Sequence, residues 1–177
     1  DDYGNRLLHI AAEVNQPKIM ELLLALKPDI NTNNTLNQTP LHYAIKYNNY
    51  DNAENLIKLG AELKVKDLEG NTPIFYAIEN GNLGMIRLLY NNGSGLINKN
   101  KNLDNALHHC VKKCPDNKDT IAIYRFLLER GVPVEQINND GKTPLELIKD
   151  KLDLYHKKEK FNVTNVESNE LEPSHQK

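Results

Sequence analysis

The residues best equipped for chemistry lie close together in the sequence. His108-His109-Cys110 followed by Cys114 brings imidazole and thiol groups into one short stretch. Zinc takes four such ligands, ordinarily in paired C-x₂₋₄-C or H-x₃₋₅-H spacings. Cys110 and Cys114 have that spacing, but no second ligand pair follows them. His9, His42 and His108 form another set, recurring at steps of 33 and 66 residues. Equivalent side chains on stacked units lie one unit apart, too far to share a metal or pass a proton. Free thiols and structural histidines are therefore expected, with no metal and no cofactor. No Gly-rich phosphate loop, nucleophile elbow, H-E-x-x-H or paired carboxylates at helical spacing occur, so no catalytic residue is assigned. Four sequons, beginning at Asn33, Asn37, Asn92 and Asn162, are what an Asn-rich chain produces by chance.

The elements that position these groups repeat. Arg6-Leu7-Leu8, Thr39-Pro40-Leu41, Thr72-Pro73-Ile74, Asn105-Ala106-Leu107 and Thr143-Pro144-Leu145 start at 6, 39, 72, 105 and 143. A period of 33 means stacked supersecondary units, none able to bury its apolar face alone. One unit shows the logic. Leu68-Glu69-Gly70-Asn71 reads as a turn with Gly70 at positive φ. Thr72 caps a helix and Pro73 takes its first position, where the missing N–H does no harm. Ile74, Ala77 and Ile78 give a buried stripe. Asn80-Gly81-Asn82 breaks the helix. Met85, Ile86, Leu88 and Leu89 face a second helix inward, and Asn92-Gly93 ends it. The first unit repeats the pattern through Leu8, Ala11, Ala12, Ile19, Leu22, Leu23 and Leu24. The second does so through Leu41, Ala44, Ile45, Ala53, Leu56 and Ile57.

The later units depart from the period. Leu103 stands where the turn glycine belongs, and Cys110 fills a slot elsewhere held by Ala. Five extra residues separate the two helices of the fourth unit, 21 from Cys110 to Gly131 against 16 from Ala77 to Gly93. Cys114 to Asp119 is expected to be a loop, followed by a helix from Thr120 to Arg130 with Ile121, Ile123, Tyr124, Phe126, Leu127 and Leu128 inward. The fifth unit is incomplete. Leu145, Ile148, Leu152 and Tyr155 keep one helical stripe, and polar His156 to Lys160 suits the wet outer face of a terminal cap. Residues 162–177 have little to bury and read as a disordered tail or linker.

The sequences RLLHIA, TPLHYA, TPIFYA, NALHHC and TPLELI are versions of a T-P-L-H-x-A motif, and over about residues 1–150 the chain resembles the ankyrin-repeat family. The resemblance implies an all-α solenoid of helix–turn–helix units with projecting β-turn fingers. Four full repeats and a cap fill a domain of residues 1–161. It also implies that His9, His42 and His108 hydrogen-bond the neighbouring finger, with Phe75 and Glu146 as replacements that leave their fingers another support to find. Function is then expected to be non-catalytic protein–protein recognition through a concave surface of finger tips and inner-helix edges. The register places Tyr3, Leu36, Lys46, Tyr47, Leu68, Glu69, Glu79, Asn80, Lys101, Lys112 and Lys113 there. Tyr3, Leu36, Tyr47 and Leu68 are apolar where polar residues are expected. Lys101, Lys112 and Lys113 read as a basic edge suited to an acidic segment.

Composition sets the bounds. With 22 basic and 24 acidic residues the chain lacks the basic excess that nucleic acid or an anionic membrane surface requires. No apolar run approaches the roughly 20 residues of a membrane span. Two cysteines are too few for a disulfide framework and suit a reducing, cytoplasmic compartment. Beginning at Asp1, already inside a finger, the chain reads as a piece of a longer protein. Its Asn, Lys and Ile bias is that of an AT-rich coding genome. A monomer with a protein partner, folded or extended, is expected. Two other readings stay open: a regulatory or targeting domain of a larger enzyme or microbial effector, working in host cytosol or nucleus, and a structural spacer.

Overall fold

The computed structural model describes residues 2–115 and 118–153. Eight helices alternate short and long: α1 (Leu7–Glu13), α2 (Pro17–Ala25), α3 (Pro40–Lys46), α4 (Tyr50–Lys58), α5 (Pro73–Glu79), α6 (Leu83–Asn91), α7 (Ala106–Lys113) and α8 (Lys118–Glu129). A ninth, α9, covers 144–153. The short helices α1, α3, α5 and α7 pack against one another in sequence order, and each long helix lies on the short helix before it. The result is two helical layers with fingers projecting from the inner one, and no strand among the described residues.

The core runs along the seam between layers. Leu41, Ala44, Ile45, Ala53, Leu56, Ile74, Ala77, Ile78, Met85, Ile86 and Leu89 have no exposed surface. Ala11, Ala44, Ala77 and Cys110 occupy one slot, all buried. A small side chain at each lets successive inner helices approach closely. Full burial of each Leu or Ile contributes about 2 kcal/mol.

Each finger is built on one side chain that the repeat register hides in plain view. Asn34, Asp67, Asn100 and Asn138 stand at steps of 33, 33 and 38. In each, one side-chain oxygen accepts two backbone N–H groups, from Leu36 and Gln38, Glu69 and Asn71, Asn102 and Asp104, and Asp140 and Lys142. Adjacent fingers are then stitched by single backbone bonds of 2.9–3.0 Å, from Thr35 to Tyr3, Leu68 to Leu36, Lys101 to Glu69 and Asn139 to Asn102. Gly70 is needed at such a seam: its φ is +78°, and a Cβ would sit 2.8 Å from the Lys101 nitrogen. Leu103 adopts the same left-handed conformation, φ 57°, without glycine's freedom.

Asparagine also joins repeats at the other helix end. Asn49 Nδ2 donates to the carbonyls of Ala12 and Glu13, Asn52 Nδ2 to Ala11 and Val14, and Asn80 Nδ2 to Ile45 and Lys46. The last carbonyls of an inner helix have no intrahelical partner, and these amides supply one.

Several expectations need correction. The insertion in the fourth unit is not simply loop: α8 begins at Lys118, two residues earlier than expected, and has 12 residues where α2, α4 and α6 have nine. The added residues extend the helix, and the Thr120 hydroxyl donates back to the Pro115 carbonyl. In α2 the buried residue is Met20, whereas Ile19 and Leu22 face outward. In α8 Ile121 and Leu128 are likewise exposed. In α9 the inward residues are Pro144, Leu147 and Ile148, while Leu145 and Leu152 are exposed. Leu145 is equivalent to the buried Leu41, Ile74 and Leu107, but no described repeat stacks beyond it. Tyr155, His156 to Lys160 and the tail 162–177 lie outside the described residues.

Candidate functional site

The histidines sort into two kinds. Nδ1 of His9, His42 and His108 accepts the backbone N–H of Arg6, Thr39 and Asn105, 3.1–3.2 Å away. The ring proton therefore sits on Nε2. From there His9 donates to the Gln38 carbonyl and His108 to that of Lys142, each at 2.9 Å, tying one helix start to the next finger. His42 departs from this role, because its buried Nε2 has no hydrogen-bond partner. The third finger is carried instead by Tyr76, whose hydroxyl donates to Asp67 and accepts from Gln38. Burial lowers the His42 pKa to about 4.

Where Phe75 replaces the histidine, the Thr72 hydroxyl loses its partner and is left buried and unpaired, so Thr72 does not cap through its side chain. Glu146 solves the same problem differently. Its Oε2 accepts the Thr143 N–H and hydroxyl while its own N–H reaches back to Thr143, a capping box.

The cysteines do not build a metal centre with these rings. Cys110 and Cys114 are buried. The hydrogen bond from Cys114, reinforced by burial, pushes the Cys110 thiol far up, away from the thiolate that a metal or a nucleophilic role requires. His108 has both nitrogens occupied, and His109 turns toward the third repeat, edge-on to Phe75 at 5.0 Å. No group of three or more His, Cys, Asp or Glu side chains suited to a metal occurs among the described residues.

The finger and inner-helix face holds the residues that register assigned to a partner. Tyr3, Tyr47 and Leu68 are 58%, 44% and 48% exposed. Leu36 is only half-buried between its neighbours and does not match them. The stitched fingers set Tyr3 and Leu36 in one row with Glu69 and Asn102, and Leu68 in the next row with Thr35 and Lys101. Tyr47 joins this face through Tyr43, 6.0 Å away, whose hydroxyl accepts from Asn34 in the second finger. Lys46 lies 5.9 and 5.8 Å from the centres of those two rings. Asn80 is tied up in capping α3.

The supposed basic edge is largely neutralised. Lys112 Nζ contacts Asp104 at 2.9 Å and Asp140 at 3.2 Å. These carboxylates raise its pKa against the opposing effect of burial. Lys101 and Lys113 remain exposed. What the sequence reading missed is alternation: Glu13, Lys46, Glu79, Lys112 and Asp150 occupy one repeat position and alternate in sign. The steps of 33, 33, 33 and 38 were the signal available for finding it. Glu79 feels its neighbours. His109, then Lys113 and Lys46, hold its carboxyl below the usual range despite partial burial.

Two concavities flank this face. A polar one of about 270 Å³ opens between the third and fourth repeats and gathers Glu69, Glu79, Lys112 and Lys113 around Asp104 and His109. An apolar one of about 400 Å³ lies at the N-terminal end, against Leu7, Leu8, Leu23 and Leu26. Leu7 and Leu26 are 70% and 78% exposed there, a feature the motif pattern did not reveal. No described helix is long and apolar enough to cross a membrane.

A family model described as ankyrin repeats, in three copies, matches residues 1–67 and 54–123, well over half of the chain. No curated protein matches it closely enough to be called a relative.

Proposed function

The chain belongs to the ankyrin-repeat family, and we propose that it is a non-catalytic module recognising a protein partner through its finger and inner-helix face. Ankyrin repeats are generally protein–protein interaction modules and typically non-catalytic. The observation that carries the reading is the stitched finger row. Four inter-finger backbone bonds in one register hold Tyr3, Leu36, Leu68 and Glu69 on a single strip, beside the exposed Tyr47. A platform ordered in advance loses little conformational freedom on binding, and half-exposed aromatics supply contact area at low entropic cost. A monomeric platform in a reducing compartment suits the buried free thiols.

The test is capture of a partner from lysate by the wild type, followed by affinity measurement on three proteins. These are the wild type, a combined Leu36→Ala, Tyr47→Ala, Leu68→Ala variant, and the outer-layer control Asn55→Lys. Affinity should fall in the combined variant alone, with its melting curve still cooperative. Unchanged affinity in a folded combined variant sinks the proposal.

A further inference from the structure

His109 is the one inner-layer histidine whose ring is not consumed by the fold. It stands one residue beyond the recurring position, in the slot that Tyr43 and Tyr76 fill in the two preceding repeats. Those tyrosines use their hydroxyls to hold their own fingers. His109 cannot reach that far. The fourth finger is held instead by Lys112, which grips Asp104. The His109 ring is left facing the polar cavity between the third and fourth repeats. It is 5% exposed, and its Nε2 has no hydrogen-bond partner. The nearest charged atom is Glu79 Oε2, 3.6 Å away and beyond hydrogen-bonding distance.

The charges around this cavity are unequal once existing pairs are subtracted. Lys112 is already shared by Asp104 and Asp140. Asp104 also accepts from Asn138 at 2.8 Å. That cluster carries two carboxylates and one ammonium. Glu69 lies on the rim with no side-chain hydrogen bond among the described residues, and Glu79 has only its long contact to His109. Lys113 is the one cation lining the cavity without a carboxylate within bonding distance, and Lys46 lies beyond Glu79 over its two tyrosine rings. The unpaired groups are thus acceptors in excess: two carboxylates and a buried imidazole nitrogen, with the Asn71 carbonyl oxygen already used by Asn100.

We infer that this cavity seats a guanidinium side chain of the protein partner, hydrogen-bonded to Glu79 and Glu69 with His109 as its buried wall. The inference rests on the recognition reading above and names what that face selects. A guanidinium is planar and carries five donors in a fixed fork, which matches carboxylates approaching from two repeats. It fits beside a ring edge, and it completes acceptors that stay unsatisfied in the free protein. An anionic side chain would meet one ammonium and three or more carboxylates.

The test uses the full chain and two capped tripeptides, Ac-Gly-Arg-Gly-NH₂ and its neutral isostere Ac-Gly-Cit-Gly-NH₂. Binding is followed by NMR on the His109 ring and the Asn71 and Asn100 side-chain amides. The arginine peptide should give saturable shifts at these groups, with the citrulline peptide at least about tenfold weaker, as expected for loss of a charge-assisted pair. Glu79→Gln should weaken the arginine peptide about fivefold or more. Glu69→Gln is fully surface-exposed and supplies the same comparison if Glu79→Gln unfolds. Equal binding of the two peptides, shifts that do not saturate, or indifference to the folded carboxylate variants would overturn the inference. Tyr47 and Leu68 lie outside this cavity. A partner lost by the Leu36, Tyr47 and Leu68 alanine variant therefore upholds the wider reading even where the arginine peptide fails.

Discussion

Lys112 Nζ lies 2.9 and 3.0 Å from the two carboxylate oxygens of Asp104, a side chain only 3% exposed. Sequence register put Lys112 on a partner-facing basic edge, yet its charge is needed at home. Lys112→Met should lower stability by about 2–3 kcal/mol, because it leaves a withdrawn carboxylate without its cation. Adding Asp104→Asn should recover part of the loss, and denaturant titration of the two single variants and the double variant measures the coupling. A Lys112→Met protein as stable as the wild type would return Lys112 to the surface pool.

Leu103 tests the finger geometry from the opposite side. It holds φ 57° where Gly70 and Gly141 hold 78° and 69°. It is 45% exposed, so its side chain contributes little packing. Leu103→Gly should raise stability by about 1 kcal/mol, the cost of placing an L-residue in the left-handed region less the entropy glycine adds to the unfolded chain. Gly70→Ala should go the other way by a larger amount, since its Cβ also meets the next finger. Melting temperatures of the two variants should move in opposite directions; a fall in Leu103→Gly would mean that the leucine packs.

Acid should loosen the fold through the buried rings. His42 titrates near 4 in the folded chain and near 6.5 when unfolded, because burial disfavours its charged form. The unfolded state therefore binds more protons between those values. The contribution is fully present above pH 6.5 and is lost as pH falls toward 4, by up to about 3 kcal/mol. His9 is shifted the same way by burial. Denaturant midpoints measured across this range should fall with pH. His42→Phe, which copies the residue found at 75, should flatten part of that slope. An equally steep slope in the folded variant would place the acid sensitivity elsewhere.

The repeat made much of this legible. Thr-Pro at a helix start, small residues at Ala11, Ala44, Ala77 and Cys110, and glycine at finger turns each act locally, so their pattern announces the element they build. The row of Asn34, Asp67, Asn100 and Asn138 was equally readable but looked like ordinary turn composition. Other features depend on partners distant in sequence. Whether Lys112 is free depends on Asp140, a residue beyond the inserted stretch. Whether Leu145 is buried depends on what stacks beyond it. Whether Thr72 finds a partner depends on Phe75, through a hydrogen bond the replacement cannot make.

Tyr47 is the single residue on which the recognition face should depend most. It is 44% exposed, leans on Tyr43 and stands beside Lys46. Partial burial, with Glu13 nearby, raises its hydroxyl pKa, so the phenol stays neutral and able to donate at physiological pH. Binding energy concentrates in a few aromatic and Arg residues, so Tyr47→Ala should cost about 2 kcal/mol of affinity. Its stability cost should stay within about 1 kcal/mol, since only the contact with Tyr43 is lost. Tyr47→Phe separates the two parts of the side chain. If the ring carries the contact, affinity should drop by no more than about 0.5 kcal/mol; if the hydroxyl bonds the partner, the drop should approach about 1.5 kcal/mol. Calorimetry against the captured partner, with melting curves beside it, distinguishes these outcomes. Wild-type affinity in a folded Tyr47→Ala protein would shift the centre of the site toward Glu69, Glu79 and the cavity between the third and fourth repeats.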